Sequence, residues 1–226
     1  PLGHDDALVP DSPTQNVAAA QAAVQRAPRH ALARYRLGQA WQVAGARVEA
    51  RQAFLDARDL DTMPWRPTTA TEQAIRDAAA EAGATLCDIA EVFRSESPAG
   101  ATGWELVADH VHLSVQGPSR AARAMIESMT ALAPPLNVEP TALAGLPDWT
   151  AYAQRLGTND YDAYRVNHTL RVLFALSFMK RNNPDALARY DAACRAAEGR
   201  MTPAVLSEAR RWQTMVPHAG GLRPLL

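Results

Sequence analysis

Residues 34–57 read RYRLGQAWQVAGARVEARQAFLDA. Leu37, Gly38 and Trp41, then Ala50, Phe54 and Ala57, recur at intervals of three and four on two segments that Ala44-Gly45 separates. Residues so spaced share one face of a helix, so the stretch predicts two helices joined by a glycine turn. Gly38 and Ala50 let the two backbones approach closely, and Trp41 and Phe54 are expected to fill the space between neighbouring helix pairs. Upstream, Asn16 is a cap for a helix over 17–26, which Pro28 closes.

The order Leu-Gly, aromatic, small residue, Phe and Ala resembles the tetratricopeptide repeat, a helical hairpin of about 34 residues. Pro28 falls where a preceding repeat would end, which makes 17–26 that repeat's second helix. One and a half repeats do not make a long solenoid, because each repeat relies on its neighbours to cover its apolar face.

At 226 residues and 47% hydrophobic, the chain is long enough for one or two domains. A net charge of -1 gives no electrostatic footprint for a nucleic acid or an anionic membrane. Basic residues are dispersed; Lys180-Arg181 is the only local hint of a basic patch, and it ends a helix pattern, where cations belong. Cys87 and Cys194 lie far apart in apolar surroundings and read as two buried thiols. No apolar run approaches about 18 residues, so no membrane span is expected. There is no signal-peptide pattern. Pro1-Leu2-Gly3 resembles the scar of a tag-removing protease, so the chain reads as a fragment whose cellular compartment is not legible.

Beyond the hairpin, 59–67 breaks the helical pattern. Thr69 with Glu72 makes a capping box for a helix over 70–82 that Gly83 stops. Residues 85–89, Thr-Leu-Cys-Asp-Ile, are the best strand candidate. Residues 91–103 read as a loop, and Gly117-Pro118 as the start of a helix reaching 129. After Pro134-Pro135 the pattern is helical throughout. Pro147-Asp148 opens a helix that Gly157 closes, and Thr158 or Asn159 caps a long helix over 161–179. Asn183-Pro184 and Thr202-Pro203 open two more. Leu187, Tyr190 and Cys194 share one face of the first; Val205, Leu206, Ala209 and Trp212 share one face of the second. The fold expected is therefore mainly α with minor β: linker at 1–15, repeat-like helices at 16–61, an α/β segment at 62–133 and a helical tail at 134–226.

Chemistry concentrates at Asp109-His110-Val111-His112-Leu113. A carboxylate that fixes one ring nitrogen of a histidine leaves the other as a general base for a nucleophile. Asp109 and His112 are the candidates for those roles. His110 adds a weak Asp-His-x-His metal cluster with no further ligand in view, so no metal and no cofactor is expected. His168 reads as a core residue, Trp104 as core or the lining of a substrate cleft, and Trp149, Phe174, Phe178 and Trp212 as packing.

The ordered set of Leu60-Asp61, Pro64-Trp65-Arg66, Leu86-Cys87-Asp88, Gly103-Trp104-Glu105-Leu106 and Asp109-x-x-His112-Leu113 with Gly117 resembles the second half of an SGNH (GDSL-like) hydrolase. It is similar in particular to bacterial members with tetratricopeptide repeats inserted before the last catalytic block. The segment from Gln154-Arg155-Leu156 to Asp160-Tyr161-Asp162-Ala163-Tyr164-Arg165 is similar to their helical tails. The resemblance implies an esterase or acyl-transfer activity, with His112 as base and Asp109 as its orienting carboxylate. It also implies a nucleophilic serine and oxyanion donors upstream of the repeats, in blocks this chain lacks. Gly157-Thr158-Asn159-Asp160 spells the family's Asn block in the wrong order and reads as a helix stop and cap; Asp11-Ser12-Pro13 is a poorer match to the serine block. A lone strand at 85–89 cannot satisfy its own backbone, so its partner strands are expected from a missing N-terminal half of the domain or another chain. The competing reading is a non-catalytic repeat scaffold that binds a protein partner on the 34–57 helices.

Overall fold

The computed structural model describes residues 16–62, 66–109, 111–130, 140–183 and 185–215. They form two compact units, one ending at Trp149 and the other beginning at Thr150. The described residues are mainly helical and hold no sheet; an isolated antiparallel bridge joins Val107 and Leu113.

In the first unit, α1 (Val17–Arg26) is capped by Asn16, whose side chain accepts from the Ala19 N–H. Helices α2 (Ala31–Val43) and α3 (Arg47–Asp59) form the expected hairpin around Gly45, at φ +75°. Ala20 and Val24 of α1 pack with Leu32, Ala33, Leu37 and Ala40 of α2 and Ala53 of α3, and Trp41 lies against this cluster. Phe54 is placed differently from the expectation. It sits inside the hairpin, where a Cβ on Gly38 would stand 2.6 Å from the ring, and its centroid is 5.6 Å from that of Tyr35. Gly38 is a seat for Phe54.

Helix α4 (Thr69–Glu81) is capped by Thr68, not by Thr69. Thr69 is engaged elsewhere: its N–H donates to Asp59 and its hydroxyl accepts from Arg58. Glu72 accordingly does not close a capping box. Its carboxylate accepts from Arg58 Nη1 at 2.8 Å and from Arg94 Nη1 and Nη2 at 2.9 and 3.1 Å, with 11% of its side chain exposed. Arg76 reaches Asp88 at 2.7 Å, and Arg51 and Arg94 share Glu91. These ion pairs join α3, α4 and α5; none of α4's own residues is buried.

Two expectations fail between 84 and 103. Residues 84–88 form no strand, and Leu86 is 40% exposed. Without a second strand the segment has no ladder to join, and helix capping claims its end. Asp88 accepts from the Glu91 N–H at 2.9 Å and starts α5 (Ile89–Glu96), where a loop was expected. Burial works to raise the Asp88 pKa, but the Glu91 N–H and Arg76 outweigh it and hold the carboxyl below its usual range. Helix α6 (Gln116–Thr130) follows the candidate site, and Arg123 donates to the carbonyls of Leu143 and Leu146, tying α7 (Pro140–Ala144) to α6.

In the second unit, α8 (Trp149–Arg155) ends at Gly157, at φ +73°, and Asn159 caps α9 (Asp160–Phe174) by accepting from the Asp162 N–H. The predicted 161–179 helix is broken: Leu176 takes φ -60°, ψ 140°, and α10 (Ser177–Asn182) is separate. Asn183 then donates to the Met179 carbonyl and closes α10 instead of opening the next helix. Helix α11 (Ala186–Glu198) packs along α9, with Phe174, Met179, Ala186 and Tyr190 in one cluster and Tyr164, Cys194, Ala197 and Ala209 of α12 (Pro203–Met215) in another. His168 is buried with its ring 5.6 Å from Trp212, as its core reading requires. Val205, expected on the packed face, is 38% exposed, and Trp149, expected to pack, is 39% exposed. The side chain of Phe178 lies outside the described residues. Both cysteines are free; Cys194 is buried, whereas Cys87 is only half-buried.

Two substitutions test this packing. Gly38→Ala gains about 1 kcal/mol of helix propensity but overpacks the Phe54 ring by about 1–3 kcal/mol, so a net loss of up to about 2 kcal/mol is expected in urea denaturation. Glu72→Gln is expected to cost about 1–2 kcal/mol, below the cost of breaking a fully buried pair, because Arg58 keeps Asp59 and Arg94 keeps Glu91.

Candidate functional site

Within the long connection between α5 and α6, residues 106–114 form a turn closed by main-chain bonds. Ala108 N–H donates to the His112 carbonyl at 2.8 Å, and Ser114 N–H donates to the Leu106 carbonyl at 2.9 Å. Asp109 and His112 stand at the turn between them. Asp109 Oδ1 accepts from the backbone N–H groups of Val111 and His112, at 2.8 and 2.6 Å. Its Oδ2 lies 2.7 Å from His112 Nδ1. The aspartate therefore does two jobs: it folds the turn over itself and fixes the histidine ring.

Exposure divides the pair. The Asp109 side chain is 5% exposed, and the His112 side chain 77%. Burial alone would raise the Asp109 pKa. The N–H donors of His112 and Val111 and the His112 ring outweigh it, so the carboxyl is held below the ordinary aspartate value. An ionised Asp109 fixes the hydrogen on Nδ1 and leaves Nε2 as the nitrogen able to take a proton. The two residues singled out from the sequence are thus in contact, in the arrangement of a general base and its orienting carboxylate.

The other candidates fall elsewhere. Trp104 is 39% exposed on the same loop and is not a core residue. His110 and Ser12 lie outside the described residues. Among the described residues no three of His, Cys, Asp and Glu are grouped to hold a metal ion. Asn159, the Asn of the misplaced Gly-x-Asn-Asp sequence, is the cap of α9, in the second unit.

Sequence reasoning missed the residues that brace the loop. Glu105 Oε1 accepts from the Ser97 hydroxyl at 2.5 Å and the Gly103 N–H at 3.0 Å, and the Glu105 carbonyl accepts from the Ser114 hydroxyl at 2.9 Å. Ser97 is completely buried. The start of α5 was legible in principle, since Asp88 and Glu91 have the spacing of a capping box. No comparable pattern marks Ser97 and Glu105.

No protein-family model, curated protein or solved structure matches this chain.

The depressed carboxyl gives a pH test. A group whose pKa is lower in the folded than in the unfolded chain adds stability above its unfolded value, and that stability is lost as pH falls through the folded value. The stability gap between the natural chain and Asp109→Asn should therefore be full above about pH 4 and close on further acidification. Denaturant titrations at a series of pH values read the gap directly; a gap independent of pH contradicts the assignment.

Proposed function

We propose that this chain carries the Asp–His part of an SGNH-type serine esterase or acyl-transfer hydrolase, with the nucleophilic serine supplied by polypeptide that is not in these 226 residues. The observation that carries the reading is the 2.7 Å contact between a buried Asp109 and an imidazole exposed on its other side. In the reaction, a serine oxygen attacks an ester carbonyl carbon while His112 Nε2 takes the hydroxyl proton. The resulting imidazolium, stabilised by ionised Asp109, returns that proton to the departing alcohol. Water, deprotonated by the same nitrogen, then releases the acyl group. Oxyanion donors come with the serine-bearing part.

The surroundings support a partner for the first unit. The peptide groups of Thr85 and Leu86 make no hydrogen bond among the described residues. Ala74, Ile75 and Ala78, which fall on one side of α4, and Ala82, which caps its end, are all exposed. Peptide groups without partners and an uncovered helix stripe are what strands from another part of the protein would cover.

On this reading the chain alone is inert toward a serine-reactive fluorophosphonate, and addition of the serine-bearing part restores labelling. His112→Ala should lower that labelling by about 10³-fold or more, within the range for loss of a triad member. Equal labelling with and without the histidine rules the reading out.

The exposure of Val43 and Val48, at 62% and 78% on either side of the Gly45 turn, favours a second reading: a scaffold that binds a protein through the repeat-like hairpin. That reading expects a partner whose binding is lost in Val43→Glu/Val48→Glu and retained in His112→Ala. Binding indifferent to the two valines counts against it.

A further inference from the structure

We propose that Gly117 is a positioning residue for the Asp109–His112 pair, acting through the backbone of residues 106–114. The inference deepens the hydrolase reading, which gives the turn its purpose. Its geometry stands without that reading.

The glycine occupies the first turn of α6, and its role there is space. A Cβ at this position would stand 2.5 Å from the Leu106 carbonyl oxygen and 2.9 Å from Leu113 Cβ. Neither atom is the end of a flexible side chain. One belongs to the backbone, the other is bonded to it, and Leu106 is 2% exposed with little room to retreat. The Leu106 carbonyl is also the acceptor for the Ser114 N–H, and Leu113 is the bridge partner of Val107. Those contacts close the turn that holds the pair. Ala108, which precedes Asp109, donates to the carbonyl of His112 itself. A displacement imposed at 117 therefore enters the loop at both ends, at Leu106 and at Leu113, and its shortest route runs into the two residues of the dyad.

The opposite side of the loop is held, so the displacement has no easy escape. Glu105 is anchored to buried Ser97 and to the Gly103 N–H, and its carbonyl holds the Ser114 hydroxyl. Ser114 in turn accepts from the Gly117 N–H through its carbonyl at 3.1 Å and through its hydroxyl at 3.4 Å. The 106–114 turn is clamped between Glu105 and Gly117. Glycine inside a helix is less favourable than alanine, because it gives up more backbone freedom on folding. Here that cost is matched to a contact that no side chain fits.

The test uses the full chain and reads the dyad, with no need of a nucleophile. NMR follows two signals: the Asp109 carboxyl carbon as a function of pH, and the His112 Nδ1 proton shared with Asp109. Gly117→Ala is compared with Gly38→Ala, which crowds the Phe54 ring in the repeat hairpin and serves as a purely structural control. The expected result is that Gly117→Ala moves the Asp109 midpoint up toward the ordinary aspartate range and weakens or removes the His112 proton signal, while Gly38→Ala leaves both in place. Ser114→Ala, which loosens the same clamp without crowding it, should shift both signals in the same direction, and it carries the test if Gly117→Ala does not fold. Signals unchanged in the folded variants, or moved equally by Gly38→Ala, overturn the proposal. Failure here leaves the fluorophosphonate outcome untouched, and loss of labelling specificity there leaves this result untouched.

Discussion

A buried carboxylate must find hydrogen-bond donors, and Asp109 finds all of its described donors within three residues of itself. Two come from the backbone at Val111 and His112, and the third from the His112 ring. Because the same group folds the turn and orients the imidazole, the turn cannot form in this way without placing the ring. The demand is local, so it is met even though the helices on either side contribute no side chain to the carboxylate. What lies beyond the ring is open, with most of the His112 side chain facing solvent.

The first unit is built by two different forces. Around α1, α2 and α3 the core is apolar and small-residue, with alanines allowing close helix approach and Gly38 seating Phe54. Around α4 and α5 the links are ionic. Glu72 serves Arg58 and Arg94, Asp88 serves Arg76 and the α5 N-terminus, and Glu91 serves Arg51 and Arg94. Fully burying an isoleucine contributes about 1.5–3 kcal/mol, yet Ile75 of α4 stays half exposed. The ion pairs fix where α4 sits and leave its apolar stripe uncovered.

The second unit is the more conventional. Tyr190 and Phe174, with ring centroids 5.2 Å apart, and the Tyr164, His168 and Trp212 rings fill the space among α9, α11 and α12. Burial raises the thiol pKa of Cys194 and keeps it a packing residue. The break after Phe174 comes where Leu176 adopts an extended backbone with no glycine or proline to announce it.

Local patterns carried in the chain determined the helical hairpin, the caps at Asn16 and Asn159, the stop at Gly157, and the pairing of Asp109 with His112. At the caps, the stop and the Asp109–His112 pair the interacting groups lie within a few residues, so spacing alone brings them together; in the hairpin the helical period and the glycine turn do so. Tertiary structure decided the rest. Thr69 lost the cap to Thr68 because Asp59 and Arg58 claimed it, and Glu72 found partners 14 and 22 residues away. The 85–89 strand did not form, because a strand exists only with a second strand to accept its backbone. The need for glycine at 117 could be seen only once Leu106 and Leu113 had folded back against it, since nothing in a sequence records how near two distant backbones will come.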